Sequence, residues 1–126
     1  QRASMAFYQA DFDRAIATYL SAKEHCAKAP DCDPDTQASI SNNLSVAYND
    51  SGRADEARKE MLTVRKIHAE KYGEDHLKTA TADHNIAYTD FRRSDFSSAL
   101  SLMPRVVGIY ERVLEENHPL RATASL

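Results

Sequence analysis

Two adjacent asparagines, Asn42 and Asn43, open the segment NNLSVAYNDSGRADEA, in which apolar residues recur at helical spacing. Asparagine is a poor helix former, so its use at the start of this stripe indicates a role other than helix stability. Each side-chain amide offers two hydrogen-bond donors and a carbonyl acceptor. It can therefore pair with both halves of a peptide unit without requiring any particular ligand side chain.

Cys26 and Cys32, in the segment HCAKAPDCDP, are the two cysteines of the chain. Three interpretations are open: two free thiols, a disulfide that joins a helix end to its loop, or half of a metal site with His25, Asp31 and Asp33. A metal needs more convergent ligands than this spacing offers, and the chain has no second cysteine pair. We expect free thiols, with the disulfide as the second interpretation.

Catalysis is not predicted by any motif in the sequence. Serine, histidine and aspartate do not occur in a triad-like order, and no paired carboxylates in a cleft are indicated. The segment GRADEA is a helix turn and not a phosphate-binding loop, because no strand precedes it. The sequence therefore predicts no catalytic residue, no cofactor and no metal.

The composition indicates one ordinary helical domain. Sixteen basic and nineteen acidic residues give a net charge of −3 without a basic stripe, which argues against nucleic-acid binding. No apolar run is long enough to enter a membrane, and the first residues lack the core of a secretion signal, so we expect a cytoplasmic protein. With only three glycines and four prolines, the sequence favours an all-α fold. The termini carry no Gly- or Pro-rich tail, and we expect the chain to be part of a longer protein.

An internal repeat organises the chain. The segments ADFDRA, GRADEA and SDFSSA place Ala15, Ala57 and Ala99 at intervals of 42 residues. The same spacing relates these further sets: Asp33, Asp75 and Asn117; Asn43 and Asn85; Leu44 and Ile86; Ser39, Thr81 and Thr123. Such agreement among unrelated positions predicts a repeat architecture.

Each period predicts a pair of helices. Asp33, Asp75 and Asn117 are suitable N-caps, and Gly52 or Ser94 marks the break within a pair. The predicted first helices are 34–50 and 76–91, and the predicted second helices are 11–28, 53–72 and 95–115. Residues 1–9 would belong to a preceding first helix, and residues 118–126 would begin a further repeat. One domain over 1–126 would thus hold helix pairs at about 1–28, 34–72 and 76–115.

The core is predicted from residue size and spacing. Small residues on the facing sides of paired helices allow close approach; these are Ser45, Ala57, Ala87 and Ala99. Larger side chains at intervals of three and four fill the space around them: Phe12, Tyr19, Met61, Val64, Phe96, Met103 and Val106. Pro104 lies inside the last of these helices and removes a bond to the carbonyl of Leu100, which predicts a kink near residues 100–104.

The repeat resembles the tetratricopeptide repeat in its 42-residue form, found in kinesin light chains. Residues 42–57 are similar to the helix-turn-helix core of that family, and GEDHLKTATADHNIAY (73–88) is similar to its linker and next first helix. ENHPLRATASL (116–126) is similar again. The resemblance implies a right-handed superhelical solenoid of antiparallel helix pairs, with about three repeats that are partial at both ends. The chain departs from the family pattern at Asp90 and Ser94, where the previous repeat has Tyr48 and Gly52, and at Pro104.

The resemblance also implies a concave inner wall formed mainly by the first helices. Asn43 and Asn85 stand where family members hold the backbone of an extended peptide. Alternatively, Asn43 bonds to a backbone carbonyl or to Asn85 and only joins adjacent repeats. For Asn42 and His84 a solvated groove wall is the preferred interpretation. The predicted peptide-binding residues are Asn42, Asn43, Val46, Asn49, Asp50, His84, Asn85, Tyr88, Phe91 and Arg92.

The implied function is a non-catalytic module that binds a peptide segment of a partner protein, as part of a scaffold, adaptor or signalling protein. Relatives that clamp a C-terminal carboxylate use Lys or Arg along the inner wall. Here the corresponding residues are Ser39, Asn43, Thr81 and Asn85, so this clamp is disfavoured. Two alternatives are self-assembly through exposed terminal repeats, including Met5, Phe7 and residues 118–126, and a sensor or docking domain of a larger enzyme.

Overall fold

Five α-helices make up the structure, a computed structural model that describes the backbone of residues 2–117 and the side chains of residues 11–116. They are α1 (Arg2–Lys28), α2 (Pro34–Asp50), α3 (Ala54–Tyr72), α4 (Leu77–Arg92) and α5 (Phe96–Asn117). Each helix packs against the next one in the chain, and the short connections make neighbouring helices antiparallel. The described part of the chain contains no strand, so the prediction of an all-α solenoid of helix pairs is confirmed.

Helix boundaries from α2 to α5 lie within two residues of the predicted ones. Asp33 caps α2 as predicted, because its carboxylate accepts the N–H of Thr36 at 2.7 Å. The predicted cap of α4, Asp75, is wrong: Nδ1 of His76 accepts the N–H of Lys78 at 3.0 Å. The helix begins one residue later than the repeat period suggests, which moves the cap by one position.

The predicted break between residues 1–9 and 11–28 is wrong, because α1 is one continuous helix. In the later repeats the break falls at Gly52 and Ser94, whose φ angles are +82° and +64°. Ala10 occupies this position in the first repeat, and alanine is the strongest helix former and avoids positive φ. The helix therefore continues through it. The further repeat predicted at 118–126 lies outside the described residues.

The two turns within the helix pairs have the same hydrogen bonds. The N–H of the left-handed residue bonds to the carbonyl three positions earlier, at 3.1 Å for Gly52 and 3.0 Å for Ser94. The next residue donates to the carbonyl five positions earlier, at 2.7 Å and 2.8 Å respectively. The 42-residue period thus reproduces backbone geometry as well as residue type.

Ser94 is the one described non-glycine residue with positive φ, which strains a residue that has a Cβ. We expect Ser94→Gly to raise the free energy of unfolding by about 0.5–1 kcal/mol, since relief of strain exceeds the added freedom of the unfolded chain. The reverse change, Gly52→Ser, should lower it by a similar amount. Thermal unfolding of both variants checks this, and destabilisation by Ser94→Gly would contradict it.

Two clusters of buried side chains lie in the described part of the core. One contains Ile16, Leu44, Ala47, Tyr48 and Ala57; the other contains Ala38, Met61, Val64, Ala82 and Ile86. The four small residues predicted at helix contacts are all buried. Ser45 also donates its hydroxyl to the carbonyl of Ala57 at 3.0 Å, which requires close approach of α2 and α3. Phe96 was predicted as core, but it is half-exposed, with its ring edge-on to that of Phe91 of α4 at 5.2 Å between centroids.

Two buried carboxylates join α4 to α3. Asp90 accepts from Nε of Arg58 at 2.7 Å, and Asp83 accepts from Nε of Arg65 at 2.6 Å. Both aspartates are buried, whereas the arginines remain partly exposed. This ion pair explains why the second repeat has Asp90 where the first has Tyr48, because Arg58 supplies a cation for the buried carboxylate.

The loop between α3 and α4 is held by α5, one helix further along the chain. Arg105 donates to the carbonyl of Glu74 at 2.6 Å, and Arg112 donates to the carbonyl of Asp75 at 2.7 Å. Arg65 of α3 contacts the Glu74 carboxylate at 2.6 Å, and this hydrogen bond lowers the pKa of Glu74. These contacts fix the loop against both helix pairs.

Pro104 lies inside α5, which remains helical on both sides of it. Proline has no N–H, so the carbonyl of Leu100 lacks its usual helical donor. The kink predicted there stays a prediction. Within residues 2–117, every helix falls short of the length and apolarity needed to cross a bilayer.

Cys26 and Cys32 form a disulfide, so the expectation of free thiols is wrong. After α1 ends, the N–H of Cys32 bonds to the carbonyl of Ala29 at 3.3 Å, and this turn brings the two Cα atoms to 5.4 Å. Such a separation is normal for a disulfide. Disulfides are typical of oxidising compartments, so this feature does not support the predicted cytoplasmic location.

Candidate functional site

A groove runs between α2 and α4, with α3 as its floor. It forms because α3 packs against both helices, while α2 and α4 lie next to each other and are joined by the hydrogen bond from Asn49 to Thr89. Met61, Val64 and His68 of α3 line the bottom, and residues of the two first helices line the walls. We call this surface the groove.

The groove consists of two adjoining cavities. The one near the start of the first helices has a volume of about 310 Å³ and is lined by Asp35, Ala38, Ser39, Asn42, Val64, His68, Leu77, Lys78, Thr81, Ala82 and Asn85. The one near their ends has a volume of about 180 Å³ and is lined by Asn42, Ser45, Val46, Asn49, Asp50, Met61, Asn85 and Tyr88. Asn42 and Asn85 line both cavities, so one amide from each wall lies at the middle of the groove.

Asn43 does not line this groove, although Asn85 does. The two residues are one period apart, so they hold equivalent positions on successive first helices. Equivalent positions face successive grooves, and the residue that shares a groove with Asn85 is Asn42. Asn43 is exposed and lines neither cavity of the groove. The structure therefore brings together Asn42 and Asn85 and leaves Asn43 apart from them.

Asn49 is buried at the wall of the groove and joins the two first helices. Its Nδ2 donates to the hydroxyl of Thr89 on α4 at 3.0 Å. Its Oδ1 is also buried, and it accepts no hydrogen bond from the described residues. The role of joining adjacent repeats, considered for Asn43, is thus performed by Asn49.

His68 is a groove residue that the sequence analysis did not identify. Its Nδ1 is buried and has no hydrogen-bond partner among the described residues. Burial, followed by the charge of Lys78, lowers the pKa of His68 and so favours the neutral imidazole. The sequence spacing could have identified it: His68 follows Met61 by seven residues and Val64 by four, which places all three on the same face of α3.

Charges at the entrance of the groove are paired with each other. Asp35 accepts from Lys71 at 2.7 Å and from the hydroxyl of Tyr72 at 2.8 and 2.9 Å. These two hydrogen bonds lower the pKa of Asp35, with that from Lys71 contributing most. Nζ of Lys78 lies 4.8 Å from the centroid of the Tyr72 ring. The wall between these charges and Asp50 is uncharged and rich in amides.

The predicted peptide-binding residues Val46, Tyr88, Phe91 and His84 lie in two places. Val46 lines the groove, whereas Phe91 and His84 line a separate cavity of about 410 Å³ between α4 and α5. Tyr88 borders both, and its hydroxyl accepts from Arg92 at 3.2 Å. The cavity between α4 and α5 is otherwise apolar; its other lining residues are Ala87, Phe96, Ala99, Leu100 and Met103.

Comparisons with known proteins agree with this architecture. The chain is similar to BtubC (BKLC) from P. vanneervenii, whose crystal structure superposes with a TM-score of 0.68 at 27% sequence identity. The match covers 81% of this chain and 40% of BtubC, so the chain spans less than half of that protein's length. No curated protein matches the chain. The sequence profile described as "Tetratricopeptide repeat" matches residues 36–107, more than half of the chain. The chain therefore belongs to the tetratricopeptide repeat family.

Proposed function

We propose that this domain binds an extended segment of a partner protein in the groove between α2 and α4. Tetratricopeptide repeats mediate protein–protein interaction in general, and membership of the family is the starting point. The observation that carries the proposal is the pair of amides, Asn42 and Asn85, on opposite walls of one groove. Both side chains are uncharged, so they do not require a charged ligand.

The amides suit a peptide main chain. Each can donate to a peptide carbonyl and accept from a peptide N–H, so two facing amides can hold successive peptide units of one strand. Val46 and Tyr88 are half-exposed in the same groove and offer apolar contact to ligand side chains.

The test is peptide binding by a variant without both amides. The probe is the tightest-binding member of a random peptide array, measured against the purified domain by fluorescence anisotropy. We expect Asn42→Ala with Asn85→Ala to weaken binding by about 10- to 100-fold, since each hydrogen bond contributes about 1 kcal/mol. Unfolding curves should show that the variant remains folded.

Asn43→Ala is the matched control for this experiment. It removes the same amide from the neighbouring position on α2, but outside the groove, so affinity should stay within about twofold of the unmodified domain. If the double variant keeps its affinity, or if Asn43→Ala weakens binding as much, the groove between α2 and α4 is not the binding site.

A further inference from the structure

The loops that lead into α2 and α4 are anchored by different chemistry. In the second repeat, three arginines hold the loop of residues 73–76. Arg65 of α3 contacts the carboxylate of Glu74 at 2.6 Å. From α5, Arg105 donates to the carbonyl of Glu74 at 2.6 Å, and Arg112 donates to the next carbonyl at 2.7 Å. This loop is therefore attached to the second helix before it and to the second helix after it.

The corresponding loop of the first repeat, residues 29–33, has none of these arginines. One period before them stand Lys23, Thr63 and Glu70. Lys23 is paired with Glu60 at 2.9 Å, and a glutamate has no donor for a backbone carbonyl. Among the described residues, no side chain of α3 hydrogen-bonds to this loop. The first repeat thus needs another means of holding the loop.

The disulfide supplies the anchor that the first repeat otherwise lacks. Cys32 is the equivalent of Glu74, the loop residue that Arg65 holds against α3. Its partner Cys26 lies in the last turns of α1, six positions earlier. The covalent bond therefore attaches the same loop position to the preceding second helix, as the ion pair does one period later.

The anchored loop leads directly into the entrance of the groove. Asp33 caps α2, and the carbonyl of Cys32 accepts from Nε2 of Gln37 at 3.1 Å. Asp35, in the first turn of α2, lines the cavity near the start of the first helices and is paired with Lys71 of α3. The first turn of α2 is thus attached to α1 through the disulfide and to α3 through this ion pair.

We propose that the disulfide between Cys26 and Cys32 is a redox-sensitive anchor of the groove entrance. Its reduction frees residues 29–33, loosens the first turn of α2 and weakens binding of a peptide in the groove. The second repeat does not respond, because its loop is held by arginines. The statement about peptide affinity rests on the proposed function, whereas the statement about the loop is independent of it.

Reduction requires a dithiol as the source of two electrons and two protons. A thiolate of the dithiol attacks one sulfur, and the other cysteine leaves as a thiolate that is then protonated. The second thiol of the reagent displaces the first cysteine and closes a disulfide in the reagent, so the domain keeps two thiols. Both cysteines are partly exposed, and Cys26 lines a cavity of about 160 Å³ with walls from α1, α2 and α3. A small dithiol can therefore reach the bond.

Hydrogen exchange of the whole domain, followed by NMR with and without excess dithiothreitol, tests the anchor without any peptide. The amide of Thr36 donates to the cap of α2, and its equivalent Lys78 donates to the cap of α4. Reduction should speed exchange at Thr36 about tenfold or more and leave Lys78 unchanged, because only the first loop is released. Cys26→Ser with Cys32→Ser should show the faster rate at Thr36 without reductant.

Exchanging the two kinds of anchor gives a matched control. Thr63→Arg with Glu70→Arg introduces arginines at the positions of Arg105 and Arg112. In the reduced form of this variant, exchange at Thr36 should return to within about twofold of its rate in the oxidised domain. Conversely, Arg105→Gln with Arg112→Gln should speed exchange at Lys78 in both redox states and leave Thr36 unchanged.

Peptide affinity measures the consequence for the groove. The array peptide used to test the proposed function should bind the reduced domain about threefold or more weakly than the oxidised one. The variant with Cys26→Ser and Cys32→Ser should bind with the weaker affinity, and dithiothreitol should not change it.

Two exchange results would overturn the anchor. One is an unchanged rate at Thr36 after reduction, and the other is equal acceleration at Thr36 and Lys78, which would mean that reduction unfolds the whole domain. Faster exchange at Thr36 with unchanged peptide affinity would overturn control of the groove. Failure of the oxidised domain to bind any peptide would instead contradict the proposed function, and the exchange rates would still decide whether the anchor exists.

Discussion

Asp90→Ala should lower the free energy of unfolding by about 3–5 kcal/mol, because it removes the partner of cations in a buried site. Asp90 is fully buried and accepts from Arg58 at 2.7 Å, from Arg93 at 3.0 Å and from the hydroxyl of Ser98 at 2.7 Å. The three donors come from α3, from the turn after α4 and from α5. Without the carboxylate, all three lose their common acceptor. Urea unfolding of both proteins at pH 7 measures the difference.

Asp55→Ala is the matched control. Asp55 also pairs with Arg93, at 2.6 Å, but its side chain is 80% exposed. Exposed ion pairs contribute little, so the change should stay below about 1 kcal/mol. Equal destabilisation by the two substitutions would show that burial of Asp90 does not determine the effect.

Acidic pH should reduce the contribution of Asp90 to the free energy of unfolding. Burial raises the pKa of Asp90, but hydrogen bonds from Ser98 and Arg58 outweigh this and lower it below its ordinary value. A carboxylate with a lowered pKa stabilises the fold above the pKa of the unfolded chain, and this stability is lost as the pH falls through the folded pKa. The difference between the unmodified domain and Asp90→Ala should therefore be constant near neutral pH and shrink below about pH 4.

Leu44→Ala is expected to lower the free energy of unfolding by about 3 kcal/mol. Leu44 is fully buried where three helices meet, in contact with a cluster that includes Ile16 of α1, Tyr48 of α2 and Ala57 of α3. Truncation leaves a cavity that these neighbours cannot fill without moving whole helices. The denaturation midpoint should fall while its slope is unchanged.

Val46→Ala tests the opposite face of the same helix. Val46 lies two residues from Leu44 but is 49% exposed and lines the groove. Its truncation should change stability by less than about 1 kcal/mol and should weaken binding of a peptide in the groove. A large loss of stability here, or a small one at Leu44, would contradict the assignment of the two faces.

The repeat period predicted the helices and most of the core, because both depend on local residue types. Ala57 and Leu44 occupy positions whose equivalents recur one period later, and their burial follows from helical spacing alone. The 42-residue period did not predict the structure where a single residue differed between repeats. Ala10 allowed α1 to continue where glycine would have stopped it. Asp90 was noted only as a departure from Tyr48, because its cation, Arg58, is 32 residues away in the sequence.

The sequence predicted that the first helices line the groove, but it did not predict which of their residues face each other across it. A period identifies equivalent residues, such as Asn43 and Asn85, but a groove lies between non-equivalent sides of two successive helices. Identifying Asn42 as the opposite wall requires the direction in which α4 lies from α2, which the sequence does not state. His68 was missed for a related reason, since the floor belongs to α3 and the prediction considered only first helices.

The loop of residues 73–76 connects α5 to the entrance of the groove. Arg105 and Arg112 of α5 donate hydrogen bonds to its carbonyls, and the same loop leads directly into Leu77 and Lys78 at the groove entrance. The position of that entrance therefore depends on α5, although α5 lines neither cavity of the groove.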